Sequence, residues 1–370
     1  MSKSEEKTLL IFEDVQKAVR NAIGLDAHLV DYNFKSLSGD KVGFAGSHQF
    51  LNVEVIKNGK KLALCFFMKI FPYDVPLQVA MIKNCKLFFK ESKFYESILP
   101  KLMTSVKNKY WSALCYLSKE NVIILDNMKD KYFELKGMSL CETYLKSALK
   151  TLALMHASVM IAEKKLGQSF LEVYPEIFQE AVWTKQTKFY DCTVFQKAAP
   201  SKKWTNVVCH GDTWAYNCLF DDASPQPRCA LVDFQMVRYA PPTSDVATLL
   251  FLATRKDERK KIEKDLLRHY HEELCSALLE NDRTMKLPTF AYIMEEYEDM
   301  KTIGMVHAVV DRPITQILDI DKNSDDVDGS DGCMNIIFGR RDKLVMKLMD
   351  KHPHYKDMVL ELIGEIIENA

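Results

Sequence analysis

The chain has 370 residues, 47% of them hydrophobic, so it is long enough to bury a sizeable core in one large or two ordinary domains. Its 50 basic and 51 acidic side chains give a net charge of -1, which disfavours a general affinity for nucleic acid or anionic lipid. The ten cysteines include no C-x-x-C pair, which argues against a zinc ribbon and favours reduced, structural thiols.

The N-terminus and the apolar runs predict where the protein resides. MSKSEEKTLL carries charges where a signal peptide needs an apolar core. No apolar run approaches the length of about 18 residues that a membrane span requires. We therefore expect a cytoplasmic protein with no membrane span and no nucleic-acid partner.

The first third of the chain predicts a strand-rich unit that also contains helices. Ile11, Val15 and Val19 have helical spacing, whereas residues 49–71 are typical of two strands joined by Asn58-Gly59, a strong hairpin signal. Lys69 lies near the end of the second of these strands.

Residues 83–102 predict a helix, followed by two strands. The helical stripe consists of Leu87, Phe88, Phe94, Tyr95, Ile98 and Leu99, and Pro100 stands where the helix is expected to end. Two further apolar runs, separated by the polar turn SKEN, follow before Asp126. These elements predict a small α+β lobe over residues 1–127 and a second lobe over residues 128–370.

The second lobe is predicted to be mainly helical. Its central helix is indicated by apolar residues at Leu140, Tyr144, Leu145, Leu149, Leu152 and Met155. His156 follows on the same helix, and we interpret it as a packed, hydrogen-bonded core residue. More helical segments follow residue 243, and the acidic stretch at 319–332 is interpreted as a solvated loop because it lacks the spacing of a calcium loop.

A strand-rich island interrupts these helices. Residues 207–208, 218–220 and 230–232 predict three short strands, the last of which delivers Asp233 at its end. We expect Asp212, Asn217 and Asp233 to converge on one rim of the molecule.

These residue types suit phosphoryl transfer. Such a reaction needs a carboxylate that accepts the proton of the attacking hydroxyl, and hard oxygen ligands for Mg²⁺. Asp212 fits the first role, and Asn217 and Asp233 fit the second. The D-x-x-x-x-N spacing and the following Asp-Phe-Gln match the catalytic loop and the metal-binding Asp-Phe-Gly of protein kinases. His210 is expected to brace the turn by hydrogen bonding.

Four stretches of the sequence resemble one known family. FKESKFYESILP, LALMHAS, VCHGDTWAYNCLF and VDFQMVRYAPPTSDVATLLF are similar to the ecdysteroid kinase-like (CHK kinase-like) family of the choline kinase and aminoglycoside phosphotransferase superfamily. The resemblance covers roughly residues 30 to 350. It implies a bilobal protein-kinase-like fold, the use of ATP and Mg²⁺, and phosphorylation of a hydroxyl on a small molecule.

The resemblance also implies roles for individual residues. By position, Asp212 matches the catalytic base, and Asn217 and Asp233 match the metal ligands. Lys69 matches the strand lysine that holds the α- and β-phosphates, and Glu91 matches the helix glutamate that pairs with it.

Several assignments stay open at the level of sequence. Glu96 is an alternative partner for Lys69, five residues after Glu91. GDKVGFAGSHQF is the nearest segment to a phosphate-covering loop, in which Gly43, Gly46 and Ser47 could let backbone amides approach phosphate. The hinge at residues 124–128 departs from the family pattern, which leaves the nucleotide preference open.

Two further side chains are left without a firm role by the sequence. Asp245, at a helix start after Pro241-Pro242, is expected to support the active-site region. Arg238 could meet a phosphate or a carboxylate.

The acceptor is not identified by the sequence. The resemblance favours an ecdysteroid or another lipophilic or dietary alcohol. An amino-alcohol such as choline is the alternative, and it would need an aromatic cage, for which the candidates are Trp183, Tyr190, Trp204, Tyr292 and Tyr297. A non-catalytic kinase-like binding protein is a third interpretation, and the oligomeric state is not predicted.

Overall fold

The computed structural model describes residues 10–37, 46–74, 76–108, 110–182, 199–320 and 341–369. Gly43, Trp183, Tyr190 and the acidic segment beyond residue 320 lie outside the described residues.

The N-terminal part of the chain is built on a five-stranded antiparallel sheet with strand order β1-β2-β3-β5-β4. Its strands are β1 (His28–Ser36), β2 (Ser47–Lys57), β3 (Lys60–Ile70), β4 (Cys115–Ser118) and β5 (Val122–Asp126). The hairpin predicted at Asn58-Gly59 joins β2 to β3, and both turn residues have positive φ, of 51° and 73°. This matches the left-handed conformation that two-residue hairpin loops require.

Helix α1 (Phe12–Ile23) covers one face of this sheet. Val15 and Val19 are fully buried, as their spacing predicts. Ile11 is not part of the buried stripe: it precedes the first turn and is 55% exposed, and Leu10 is buried in its place.

The helical region between β3 and β4 continues past Pro100, so the prediction that the helix ends there is wrong. Its segments are α2 (Pro76–Asn84), α3 (Leu87–Lys93), a π turn (Phe94–Ile98) and α4 (Leu99–Ser105). The amide of Leu99 donates to the carbonyl of Phe94, five residues back. Pro100 therefore occupies a first-turn position after a wider turn, where its missing N–H costs little.

The rest of the chain is mainly helical. Its helices are α5 (Glu142–Leu166), α6 (Phe170–Val173), α7 (Pro175–Phe178), α8 (Thr243–Ala253), α9 (Lys256–Asn281), α10 (Phe290–Ile320), α11 (Arg341–Lys351) and α12 (Pro353–Asn369). Helix α5 is the predicted central helix, and Leu145, Leu149, Leu152 and Met155 on it are fully buried. Among the described residues, α5 is the one helix long and apolar enough to cross a membrane, and 78% of its apolar window is buried inside the protein.

The strand-rich island is present as predicted, with one additional strand. Strand β6 (Val207–Cys209) pairs with β9 (Arg238–Ala240), and β7 (Cys218–Asp221) pairs with β8 (Arg228–Leu231). One hydrophobic core runs from Phe88 and Phe94 of the N-terminal part to Phe234 and the inner face of α5. The predicted α+β architecture, with a small β-rich part followed by a larger helical part, is thus confirmed. The lobe boundary at residues 127 and 128 stays a prediction.

Candidate active site

A buried lysine connects the sheet to the strand-rich island. Lys69 on β3 places its Nζ 2.6 Å from Glu91 Oε2 and 2.7 Å from Asp233 Oδ1. Glu96 instead lies beyond the start of the π turn, half-exposed, and pairs with Lys93. The choice that the sequence left open is therefore resolved in favour of Glu91.

The electrostatics of this cluster favour a charged lysine. Burial by itself would lower the Lys69 pKa, but the carboxylates of Asp233 and Glu91 outweigh it and hold that pKa above its ordinary value. Burial and the nearby Asp233 raise the pKa of Glu91 above the usual glutamate range, against the opposing effect of Lys69. Lys69 is therefore a buried cation held between the Glu91 and Asp233 carboxylates.

Asp233 is held in an unusual backbone conformation by the residue that follows it. Its φ of 67° and ψ of 68° lie in the left-handed region, which costs a non-glycine residue about 1 kcal/mol. The Phe234 ring is fully buried and stacks on Phe94 at 4.2 Å, with Tyr95 and Trp111 edge-on at 5.7 and 6.2 Å. These three ring contacts anchor Phe234 and so direct the Asp233 carboxylate, which is 25% exposed, toward Lys69.

The loop at residues 210–217, the candidate catalytic loop, requires a glycine. Gly211 has a φ of 80°, and a Cβ at this position would lie 2.1 Å from the carbonyl oxygen of Met236. Its amide and that of His210 donate to the Asp245 carboxylate at 2.8 and 2.6 Å. His210 Nε2 lies 2.9 Å from the carbonyl oxygen of Val232, so His210 braces the turn as expected.

Asp245 holds the backbone of this loop in place through the two hydrogen bonds that its carboxylate accepts. Although its burial opposes ionisation, hydrogen bonds and charges from His156 and His210 and the Gly211 amide hold the Asp245 pKa below its ordinary value. His156 is fully buried between Asp245 and Tyr270, at 3.2 and 2.9 Å, as expected for a core histidine. The Asp245 carboxylate therefore stabilises the catalytic loop and makes no side-chain cap for its own helix α8.

Asp212 and Asn217 contact each other directly. Asn217 Nδ2 donates to the backbone oxygen of Asp212 at 2.8 Å and to its Oδ2 at 3.1 Å. These bonds fix the Asn217 amide with its Nδ2 toward Asp212 and its Oδ1 away from Asp212. Together with the Asp233 carboxylate, this carbonyl oxygen supplies the hard oxygen donors that Mg²⁺ prefers, so the donor set fits the metal.

The Asp212 carboxyl has a raised pKa. Its burial, the nearby Asp233 and the charge of Asp311 together raise the Asp212 pKa to about 8, while Asn217 and Arg238 oppose the shift. A carboxyl with this pKa ionises near pH 8, so its ionised form, which increases as the pH rises above neutral, is the form that can act as a general base.

Three residues that the sequence left without a firm role, Ser47, Gly46 and Arg238, have different surroundings in the structure. Ser47 is exposed at the start of β2, and its side chain has no described contact with Lys69 or Asp233, so its proposed role stays a prediction. Gly46 lies against Lys69, where an added Cβ would be 2.8 Å from Cε. Arg238 is buried behind the catalytic loop, with its Nε 3.0 Å from where a Gly211 Cβ would lie.

The described cage candidates do not form one cage. Trp204 and Tyr292 pack edge-to-face at 5.1 Å, and Trp204 Nε1 donates to Asp299 at 2.7 Å. Tyr297 is fully buried and donates its hydroxyl to Glu263. Tyr297 therefore belongs to the core of the helical part.

Sequence reasoning missed the side chains that hold the hinge. The Asp126 carboxylate accepts hydrogen bonds from Tyr116 and from the Leu114 amide and pairs with Lys131 at 2.6 Å. Tyr116 and Lys131 flank the hinge in sequence, but no motif indicates that they converge on Asp126. The eight cysteines among the described residues are free thiols.

The architecture and the Lys69-Glu91-Asp233 cluster define a kinase-like protein. The sequence profile described as the ecdysteroid kinase-like family matches residues 49–199 and 183–281, which is more than half of the chain. The chain therefore belongs to the ecdysteroid kinase-like family, and the resemblance of the four sequence stretches is confirmed. The predicted class of enzyme, a small-molecule kinase, agrees with this membership.

Solved structures with a similar fold have little sequence in common with this chain. An ethanolamine kinase of Plasmodium vivax is 13% identical, with 82% of this chain and 77% of that chain covered and a TM-score of 0.37. An amicoumacin kinase in complex with AMP-PNP is 13% identical, with 91% and 96% covered and a TM-score of 0.43. A microcompartment-associated aminopropanol kinase is 13% identical, with 79% and 88% covered and a TM-score of 0.36. No curated protein matches the chain in sequence.

Proposed function

We propose that this protein is an ATP- and Mg²⁺-dependent phosphotransferase that acts on a hydroxyl of a small molecule, in the cytoplasm. The observation that carries the proposal is the contact of Lys69 Nζ with both Glu91 and Asp233, within 2.7 Å. Burying a lysine between two carboxylates is costly and adds little to stability by itself, because all three charges lose contact with water. A phosphate-binding lysine does need a partner that fixes its position.

Each side chain has a definite task in the proposed reaction. Lys69 binds the α- and β-phosphates of ATP, and Glu91 holds Lys69 in place. Asp233 and the Oδ1 of Asn217 would hold Mg²⁺, which when bound neutralises charge on the phosphate oxygens. Ser47 would contribute to the phosphate-binding loop.

Asp212 acts on the acceptor. The hydroxyl oxygen attacks the γ-phosphorus as the bond from that phosphorus to the bridging oxygen breaks, and ADP leaves with the electron pair. Asp212 takes the hydroxyl proton and later returns it to solvent. Positioning supplies most of the rate enhancement, because phosphoryl transfer needs little covalent help from the protein.

Family membership supports an ecdysteroid or another lipophilic alcohol as the acceptor. An amino-alcohol is the second candidate.

The test is product formation from Mg-ATP with an ecdysteroid and with ethanolamine, measured by mass spectrometry. The proposal predicts a phosphorylated product from at least one acceptor and a decrease of at least a thousandfold in kcat for Asp212→Asn. If the wild type binds Mg-ATP but phosphorylates neither compound nor a wider panel of alcohols, the protein is a kinase-like binding protein.

A further inference from the structure

Three polar side chains on one side of α10 bind the segments that flank a two-stranded ribbon of the candidate active site. Tyr292, Glu296 and Asp299 are spaced by four and three residues, so they lie along one side of the helix. None of them has a task in the proposed phosphoryl transfer. The ribbon is the antiparallel pair of strands β6 and β9.

This ribbon has an active-site end and an opposite end. At the active-site end, Cys209 pairs with Arg238, and the chain continues from Cys209 into the candidate catalytic loop with Asp212. At the opposite end, Val207 pairs with Ala240. The segments before Val207 and after Ala240 are the ones that α10 contacts, so α10 holds the ribbon by the end opposite to the loop.

The segment before β6 is held by two of the three side chains. The Thr205 amide donates to the hydroxyl oxygen of Tyr292 at 2.8 Å. Trp204 Nε1 donates to the Asp299 carboxylate at 2.7 Å. These bonds fix the chain where it enters β6.

Glu296 holds the segment after β9. Its Oε1 accepts hydrogen bonds from the amide and the hydroxyl of Thr243, at 3.1 and 2.8 Å, and both residues are fully buried. Thr243 begins α8, and Pro242 before it provides no side-chain cap. Glu296 therefore supplies, from a distant part of the chain, the acceptor that an N-cap side chain normally supplies.

The first turn of α8 connects this cap to the loop. Asp245 lies in that turn, and its carboxylate accepts hydrogen bonds from the amides of His210 and Gly211 at 2.6 and 2.8 Å. Thr213 donates to the backbone oxygen of Asp245 at 2.7 Å. A displacement of the first turn would therefore affect the bonds that hold the backbone on both sides of Asp212.

We propose that Glu296 is a positioning residue for the phosphoryl transfer: it caps α8, which fixes Asp245 and, through Asp245, the loop that carries Asp212. This inference rests on the proposed function for the role of Asp212. Tyr292 and Asp299 hold the other flank of the ribbon to the same helix.

The groups assigned to the nucleotide have separate support. Glu91 fixes Lys69, and the ring contacts of Phe234 direct Asp233 toward Lys69. Neither of these contacts involves Glu296. Loss of the cap is therefore expected to change the loop and the turnover more than the interaction with nucleotide.

The test measures hydrogen exchange of the His210 and Gly211 amides in the ligand-free protein, which requires no acceptor. Glu296→Ala is expected to raise their exchange rates at least about tenfold, because the buried amide and hydroxyl of Thr243 lose their acceptor. Glu296→Gln keeps an acceptor oxygen at this position and is expected to exchange within about threefold of the wild type.

Two further variants separate a local effect from a general loss of stability. Thr243→Val removes the hydroxyl bond to Glu296 and is expected to raise the two exchange rates less than Glu296→Ala does. Glu263→Ala removes the hydrogen bond that Tyr297 of α10 donates at 2.5 Å, outside the ribbon contacts, and is expected to leave the two exchange rates unchanged. Denaturant unfolding gives the global stability of each variant for comparison.

Turnover provides a second measurement once an acceptor is phosphorylated. Glu296→Ala is then expected to lower kcat about tenfold, with the KM for Mg-ATP within about twofold of the wild type. Unchanged exchange in Glu296→Ala, an equal increase in Glu263→Ala, or a KM that rises as much as kcat falls overturns the proposal. Faster exchange in a protein whose wild type forms no phosphorylated product would refute the proposed function and leave the positioning of the loop by Glu296 standing.

Discussion

The anchoring of Phe234 predicts that a conservative substitution there harms nucleotide binding more than stability. Phe234→Leu keeps an apolar side chain but removes the stacked contact with Phe94 and the edge-on contacts with Tyr95 and Trp111. Each aromatic pair contributes about 0.5–1.5 kcal/mol, and leucine recovers part of the lost packing. We therefore expect the free energy of unfolding to fall by about 2 kcal/mol.

The effect on function has a separate cause. Asp233 occupies the left-handed region at a cost of about 1 kcal/mol, and the fixed position of the Phe234 ring helps to hold it there. Once the Phe234 ring is loosened, Asp233 can relax away from Lys69 and from the metal position. The affinity for Mg-ATP should then fall by at least tenfold.

Denaturant unfolding and Mg-ATP titration of the same samples separate the two effects. Phe170→Leu is the matched control, because Phe170 is fully buried and its ring pairs with Tyr174, away from Lys69 and Asp233. The control should lose comparable stability and keep its Mg-ATP affinity. If Phe234→Leu binds Mg-ATP as tightly as this control does, the anchoring argument is refuted.

Three other substitutions have definite expected outcomes. Gly211→Ala would place a Cβ 2.1 Å from the Met236 carbonyl oxygen in a left-handed conformation, so we expect a loss of about 3 kcal/mol in the free energy of unfolding and loss of activity; activity without a change in the unfolding midpoint would contradict this. Glu91→Gln should lower kcat/KM at least tenfold because Lys69 loses the partner that fixes it, whereas the exposed control Glu96→Gln should leave kcat/KM unchanged. Asp212→Asn should stabilise the ligand-free protein. The folded Asp212 carboxyl keeps its proton up to about pH 8 while the unfolded one releases it near pH 4, so the wild type loses stability as the pH rises between these values. Because Asp212 is partly exposed, we reduce the expected effect: the free energy of unfolding of the variant should exceed that of the wild type by about 1–2 kcal/mol at pH 8 and be unchanged at pH 3. Denaturant unfolding at both pH values measures this difference. An equal gain at both pH values would exclude ionisation of Asp212 as the cause.

The sequence predicts the elements that depend on local patterns. The hairpin at Asn58-Gly59 follows from turn chemistry, and the central helix α5 follows from its apolar period. The spacing of Asp212 and Asn217 predicts that they lie on the same rim, because both belong to one short loop, and the structure shows that they are in contact.

Features that depend on distant parts of the chain could not be predicted in this way. The sequence predicts a helix end at Pro100 because nothing in it indicates the π turn before that residue. The partner of Lys69 stayed ambiguous until the π turn showed which helical face Glu91 occupies. Glu296 lies 53 residues after Thr243, and nothing in its local sequence connects it to the first turn of α8.

Thermal unfolding with and without Mg-ATP, of the wild type beside Asp233→Asn, tests the central claim most directly. A ligand at about a hundred times its dissociation constant adds about 2.7 kcal/mol to the stability of the folded state. The assignment of Lys69 to phosphate and of Asp233 to Mg²⁺ predicts a clear stabilisation of the wild type and loss of its magnesium-dependent part in the variant. A wild type that Mg-ATP does not stabilise, or a variant that keeps the full magnesium-dependent shift, would contradict that assignment.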